Sequence, residues 1–183
     1  MDIHQAIKQR RTIHVFSNKK VPKDVIERSI YAANQAPCHR MTFPWRFTSL
    51  GINKRELLFQ LQLSLKFGGQ QIDEIKSKKI KDKIFNASHL LVATQICTDN
   101  QVQKVEDYAA CACAIQNLSL SLVSDGVGSK WSTGKITKDP NTYQIAEIDP
   151  LEEQIIGFIW IGYGISPPLI TRPVINTIYR ERE

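Results

Sequence analysis

Apolar positions along the chain recur at two spacings. In "IHQAIKQRR", residues 3–11, Ile3 and Ile7 fall on one helical face and predict a short first helix. "PKDVIERSIYAANQA" is a clearer case. Pro22 suits a first turn, Asp24 and Glu27 lie near the positive end of the helix dipole, and Ile26, Ile30 and Ala33 share a face. Pro37 ends the pattern. "WRFTSLGI" then reads as a strand, and two helical patterns follow over about 53–65 and 70–85. "HLLVATQIC", 89–97, is continuously apolar, as a strand buried on both faces is. "VEDYAACACAIQNLSLSLVSDG", 105–126, is small and apolar nearly all round, which predicts a long buried central helix with Gly126 as its C-terminal cap. "EEQIIGFIWIGYG", 152–164, is a second strongly apolar strand. The segment 165–183 holds Pro167, Pro168 and Pro173 and few core residues, and reads as an extended tail packing on a second subunit. Strands and helices mix without enough strict strand-helix-strand units for a doubly wound sheet. The expected class is α+β: one domain over 1–183, with a sheet and helices arranged around one long buried helix.

Composition narrows the class. With 42% hydrophobic and 23% charged residues over 183 positions, a packed core is expected and wholesale disorder is not. The N-terminal stretch has no apolar h-region, and no run approaches the ~18 apolar residues of a membrane span, so a cytoplasmic protein without a membrane partner is expected. Cys38, Cys97, Cys111 and Cys113 form no C-x-x-C pair and read as buried reduced thiols. Cys111 and Cys113 point to different faces of their helix. The net charge of +6 favours an anionic partner, either nucleic acid or a phosphate-bearing cofactor. The densest basic run, "KSKKIKDKIF" at 76–85, is broken by Ile80 and Ile84 and carries no interleaved aromatics, as a solvated helix face does.

Three stretches carry candidate chemistry. In "QRRTIHVF", 9–16, two guanidiniums and a hydroxyl are suited to a phosphate, or form an exposed basic helix end. "GVGSKWSTGK", 126–135, resembles a glycine-rich nucleotide loop only superficially. Such loops follow a strand and open a helix, whereas here a long helix precedes and Pro140 follows. It reads as a helix cap leading into a tight loop, with Trp131, Ser132, Thr133 and Gly134 facing something flat and polar, or with the tryptophan simply packing. In "APCHRMTFPWRF", 36–47, His39 has no partner at metal-ligand spacing, and adjacent Cys38 and His39 are poorly placed for a thiolate-imidazole pair. No metal site and no protein nucleophile or general base is expected.

In this order the three motifs resemble the nitroreductase family of FMN-dependent flavoproteins. Its Arg-Arg-Ser…Phe opening is similar to Arg10, Arg11, Thr12 and Phe16. Its Ala-Pro-Ser…Gln-Pro-Trp loop is similar to Ala36-Pro37-Cys38…Phe43-Pro44-Trp45, and its Gly-x-Gly-x-x-Trp segment to Gly126, Gly128 and Trp131. The apolar strand ending in Gly-Tyr resembles 155–163, and the whole likeness spans about 3–165, closest to the short bacterial members. Phe43 stands where glutamine is usual, Cys38 where serine or aspartate is common, and Thr12 where serine is. The resemblance implies a nitroreductase-like fold with a mainly antiparallel sheet, and a homodimer with FMN at the subunit interface. Arg10, Arg11 and Thr12 would hold the phosphate and ribityl end, while Gln35 and His39 would reach the flavin from the partner subunit. Trp131, Ser132 and Thr133 would lie along the flavin or its ribityl chain, and Ser121, Leu122, Val123, Ser124, Asp125 and Gly126 would meet NADH or NADPH. Arg172 and Lys83 are the candidates for further phosphate contacts. The implied activity is ping-pong NAD(P)H oxidation with a nitroaromatic or quinone-like small-molecule acceptor and no nucleic-acid partner. A flavin-dependent dehydrogenase of another substrate and a non-catalytic flavin-binding protein are the alternatives.

Overall fold

A computed structural model describes residues 1–182. Six α-helices and four strands run in the order α1 (Ile3–Gln9), α2 (Lys23–Asn34), β1 (Trp45–Ser49), α3 (Ile52–Phe67), α4 (Glu74–Asn86), β2 (His89–Ile96), α5 (Gln101–Ser124), β3 (Gly128–Ser132), α6 (Pro140–Ala146) and β4 (Glu153–Gly162). The strands form one antiparallel sheet ordered β1-β2-β4-β3, so the two apolar strands foreseen in the sequence occupy its centre. No helix among the described residues is long and apolar enough to cross a membrane.

Successive strand side chains alternate between the faces of the sheet, and each face packs its own helices. Leu91, Ala93, Ile159 and Ile161 join Val25, Ala33, Cys111, Leu118 and Leu122 of α2 and α5 on one side. Leu90, Val92, Phe158 and Trp160 join Leu58, Phe59, Ile80 and Ile84 of α3 and α4 on the other. The alternation in β4 slips at Gly157: Ile155 belongs to the second cluster and Ile156 to the first, yet Phe158 returns to the second. A register shift against Ala93 and Thr94 marks the same place. A Cβ on Gly157 would collide with Trp131 Nε1 and come within 3.0 Å of the Ser132 carbonyl, so the bulge is where the β3 tryptophan lies against β4.

Two sequence expectations change here. The stretch 126–135 is not only a loop, because Gly128–Ser132 pairs along β4 as an edge strand. Its composition has little strand propensity, and the pairing comes from the partner strand rather than from local preference. The helix expected from 105 begins at Gln101, where the Asn100 side chain accepts from the backbone N–H groups of Val102 and Gln103.

Helix α5 is buried on one face within the chain, not all round. Ala110, Cys111, Ala114, Leu118 and Leu122 are in the core, while Val102, Val105, Ala109 and Cys113 are exposed. The thiols divide likewise: all four are free, but only Cys111 is buried, Cys38 is half-buried, and Cys97 and Cys113 are exposed. Burial pushes the Cys111 thiol up to about 12, with Asp107 and Cys38 adding to the shift.

Candidate functional site

The Arg10–Arg11–Thr12 segment leaves α1 and runs beside the outer edge of β3. Thr12 bridges Ser129 in parallel, and the Ile13 N–H donates to the Ser129 carbonyl at 3.0 Å. Arg10 caps α1, is half-buried, and has its pKa lowered by burial first, then by the charges of Arg172 and Arg11. Three guanidiniums therefore share one neighbourhood. None of them pairs with a carboxylate among the described residues. Arg11 is partly engaged, donating from Nη1 to the Lys8 and Arg10 carbonyls at 2.6 and 2.9 Å.

Further along this edge a second cationic group forms on the α4 face of the sheet. Lys130 Nζ is 3.1 Å from His14 Nδ1, and Lys83 Nζ sits 4.4 Å above the Trp160 ring. The Trp160 indole N–H donates to Ser132 Oγ at 2.8 Å, which fixes that hydroxyl. Burial and then the Lys130 charge bring the Lys83 pKa down to about 8, and burial also lowers that of Lys130. His14, Lys130 and Trp160 were not foreseen as site residues, and Lys83 was foreseen only as a phosphate contact. One signal was available: Lys83 is three residues from Ile80 and adjacent to Ile84, the two buried positions of α4.

Trp131 faces the other way. Its indole N–H donates to the Ile156 carbonyl at 3.3 Å, and its ring lies 6.3 Å from that of Tyr108 on α5. Thr133 is exposed where β3 ends. The Ser121–Gly126 stretch is the last turn of α5 and its cap. Leu122 is fully buried, Ser124 Oγ donates to the Ser121 carbonyl, Asp125 faces Arg28 at 3.3 Å, and Gly126 takes a left-handed φ of 71° while the Val127 N–H donates back to the Leu122 carbonyl.

Gln35 and His39 lie elsewhere. Gln35 is the exposed end of α2, and His39 opens the loop that leads into β1. Arg40, Met41 and Phe43 of that loop hold positive φ values of 61°, 52° and 44°, a strained conformation for such residues. Two neighbouring carboxylates of α5 hold it there. Glu106 faces His39 Nε2 at 3.7 Å and Arg40 Nε at 3.4 Å, and Asp107 accepts from the Thr42 hydroxyl at 2.5 Å. Cys38 Sγ accepts from the Phe43 N–H at 3.2 Å, so the thiol serves the loop's own backbone. Pro44 is buried, and the Trp45 indole donates to Asn34 Oδ1 at 3.2 Å, which anchors the far end.

The structure thus brings Thr12 to Ser129 on β3, the strand that carries Trp131 and Ser132, with Arg11 beside Gly126–Gly128 where that strand begins. It leaves Gln35 and His39 beside β1, at the opposite edge of the same sheet. No group of three or more His, Cys, Asp or Glu side chains among the described residues is arranged to hold a metal ion.

The model of the nitroreductase family matches residues 7–163. The chain belongs to the nitroreductase family. Membership makes it an oxidoreductase. A Bacillus subtilis (strain 168) protein provisionally named an NAD(P)H nitroreductase is 28% identical over 172 residues, covering 93% of this chain and 88% of its own. The crystal structure of a nitroreductase-like family protein from Bacillus cereus superimposes with a TM-score of 0.82 at 26% identity, covering 100% of this chain and 97% of that one. A nitroreductase from Bacteroides fragilis with bound FMN gives 0.77 at 21% identity, with 100% of both chains covered. Nitroreductase-family relatives therefore share the fold over nearly the whole length.

Proposed function

We propose that this chain is an FMN-dependent NAD(P)H oxidoreductase that acts as a homodimer and passes electrons to nitroaromatic or quinone-like acceptors. The observation that carries the proposal is the convergence of Arg10, Arg11 and Arg172 beside β3, none of them paired with a carboxylate among the described residues. Like charges held together disfavour one another, and a bound phosphate relieves that repulsion through forked hydrogen bonds. The donor set therefore fits the phosphate of FMN. Lys83, Lys130 and His14 lie further along the same edge, where they would meet the other, electron-rich end of the cofactor.

FMN, when bound, supplies the hydride-accepting and hydride-donating chemistry. The protein's share is binding, orientation and charge. Arg10 and Arg172 would hold the phosphate. Ser132 and Thr133 lie where the flavin's polar edge would pass, and the Ser132 hydroxyl is already oriented by Trp160. Lys83, with no carboxylate partner among the described residues, is placed to stabilise negative charge that builds up on reduction. Of the 121–126 stretch Leu122 is buried, so any NAD(P)H contact there falls to the other residues, with Ser124, Asp125 and Gly126 the most exposed. In the overall reaction one NAD(P)H and one proton convert a nitro group into a nitroso group and water. The reductant leaves before the acceptor enters.

Two features support the dimer. His39 and Arg10 lie at opposite sheet edges, so both reach one flavin only if a second copy supplies one of them. The exposed Ala109 and Cys113 of α5 and the exposed Leu169, Val174, Ile175 and Ile178 of the tail are surfaces that a second copy would cover.

The purified protein is expected to be yellow, to release FMN on denaturation and to oxidise NADH or NADPH only when an acceptor is present, with parallel double-reciprocal lines. A colourless protein that ignores added FMN rejects the proposal, and a yellow one without turnover leaves only a flavin-binding protein. Heterodimers of a His39→Ala subunit and an Arg10→Ala subunit should hold one tight FMN per dimer, since one of their two sites is intact. Finding none overturns action across the interface. FMN affinity should also depend on pH. An anionic ligand binds the protonated Lys83 better, and that form is lost as pH rises through about 8. Affinity is therefore expected to hold near pH 7 and to decline above pH 8. Lys83→Met should abolish the decline in a fluorescence titration.

A further inference from the structure

A cleft of about 1020 Å³ opens between the first turns of α5 and the segment that joins β3 to α6. It begins at Thr133 and Gly134, where the candidate flavin site ends, and runs toward Tyr143 of α6. Lys104, Lys135 and Lys138 line it, and no aspartate or glutamate among the described residues does. None of these three lysines forms an ion pair among the described residues. Concentrated positive charge in a concave, partly apolar site raises the local concentration of small anions.

The aromatic lining gives the cleft a shape preference. Tyr108 stands on one side, backed by the Trp131 ring. Tyr143 stands on the other. Its hydroxyl oxygen accepts from the Ile155 N–H at 3.0 Å, while its own O–H has no acceptor among the described residues. A half-buried hydroxyl fixed through its oxygen is left with a proton to donate into the cleft.

We infer that this cleft selects an aromatic electron acceptor bearing an anionic group, carboxylate or phosphate. The ring would lie between Tyr108 and Thr133–Gly134, with its negative group toward Lys104, Lys135 and Lys138. The inference rests on the flavin-dependent reading above and narrows its acceptor to one charge class. Three lysines gathered in one cleft do not form the extended basic track that a nucleic acid requires. A neutral nitroaromatic would leave the three ammoniums without a counter-charge.

The test compares 4-nitrobenzoate, 4-nitrophenyl phosphate and the neutral 4-nitrobenzamide on the FMN-loaded protein. Direct binding is read by tryptophan fluorescence quenching and turnover by kcat/KM. Both anions are expected to bind and react about tenfold better than the amide at low salt, with the advantage shrinking as salt is raised. In the Lys104→Gln, Lys135→Gln, Lys138→Gln triple variant the anion-to-amide ratio should fall to about one. The ratio between the two anions then tells carboxylate from phosphate. An unchanged ratio in the triple variant, or equal use of amide and anions by the unmodified protein, overturns the inference. A protein that turns over without charge preference defeats the cleft and leaves the flavin reading standing. Selective anion binding by a protein that takes no FMN does the reverse.

Discussion

Arg10→Ala is expected to weaken FMN binding roughly 10- to 100-fold, the scale of a lost charge-assisted hydrogen bond to phosphate. Arg180→Ala, a charge removed from the exposed tail, should leave it unchanged. The reason lies in the surroundings of Arg10. Its pKa is held down by burial and by Arg172 and Arg11, so the ligand-free protein keeps three cations together at a cost. A phosphate offsets that cost, and removing Arg10 also relieves it. The variant should therefore melt no lower than the parent without FMN while gaining much less stability when FMN is added. Arg10→Lys should recover part of the affinity, because it restores the charge without the forked donors. Fluorescence titration and melting curves with and without FMN make the measurement. Equal losses for Arg10→Ala and Arg180→Ala would reject the phosphate assignment.

Arg55→Met should lower stability by roughly 2–4 kcal/mol without touching the site. Arg55 is 6% exposed and has no acidic partner among the described residues. Nε donates to the Leu50 carbonyl at 3.0 Å, Nη1 to Ala87 at 2.8 Å and Nη2 to Ser88 at 3.2 Å. One guanidinium thus closes the exit of β1, the end of α4 and the entry to β2. Burial lowers its pKa, an adverse contribution that the hydrogen bonds to the three carbonyls offset only in part. Methionine fills much of the volume but leaves those carbonyls buried and unpaired. Arg55→Lys should rescue little, because one ammonium does not span three acceptors. Urea midpoints report the loss, and a change below about 0.5 kcal/mol would show that water replaces the arginine there.

Much of this was legible in the chain. Continuous apolar runs identified β2 and β4 as the strongly apolar strands, and the Ile26–Ile30–Ala33 side of α2 faces the core as its spacing requires, with Ile30 partly buried. The order of Arg10–Arg11–Thr12, the 36–47 loop and Trp131 identified the family. Other features had no local signal. Gly128–Ser132 is a strand only because β4 offers it an edge. Gly157 is a bulge only because Trp131 lies across it. Lys83 looks like its neighbours in a lysine-rich run until the tilt of α4 carries it over Trp160.

The sequence by itself determined which segments are apolar enough to be buried, where most helices and strands stop, and which family the motifs belong to. Those properties depend on side-chain type and on spacing within a few residues. Tertiary structure decided the rest: that Thr12 lies beside Ser129, that His39 stands at the far edge of the sheet from Arg10, that α5 keeps Ala109 and Cys113 exposed, and that Lys104, Lys135 and Lys138 share a cleft without a carboxylate among the described residues. Each joins residues distant in the chain. Their proximity and their electrostatics arise only when the strands pair and the helices dock, and no local propensity encodes either.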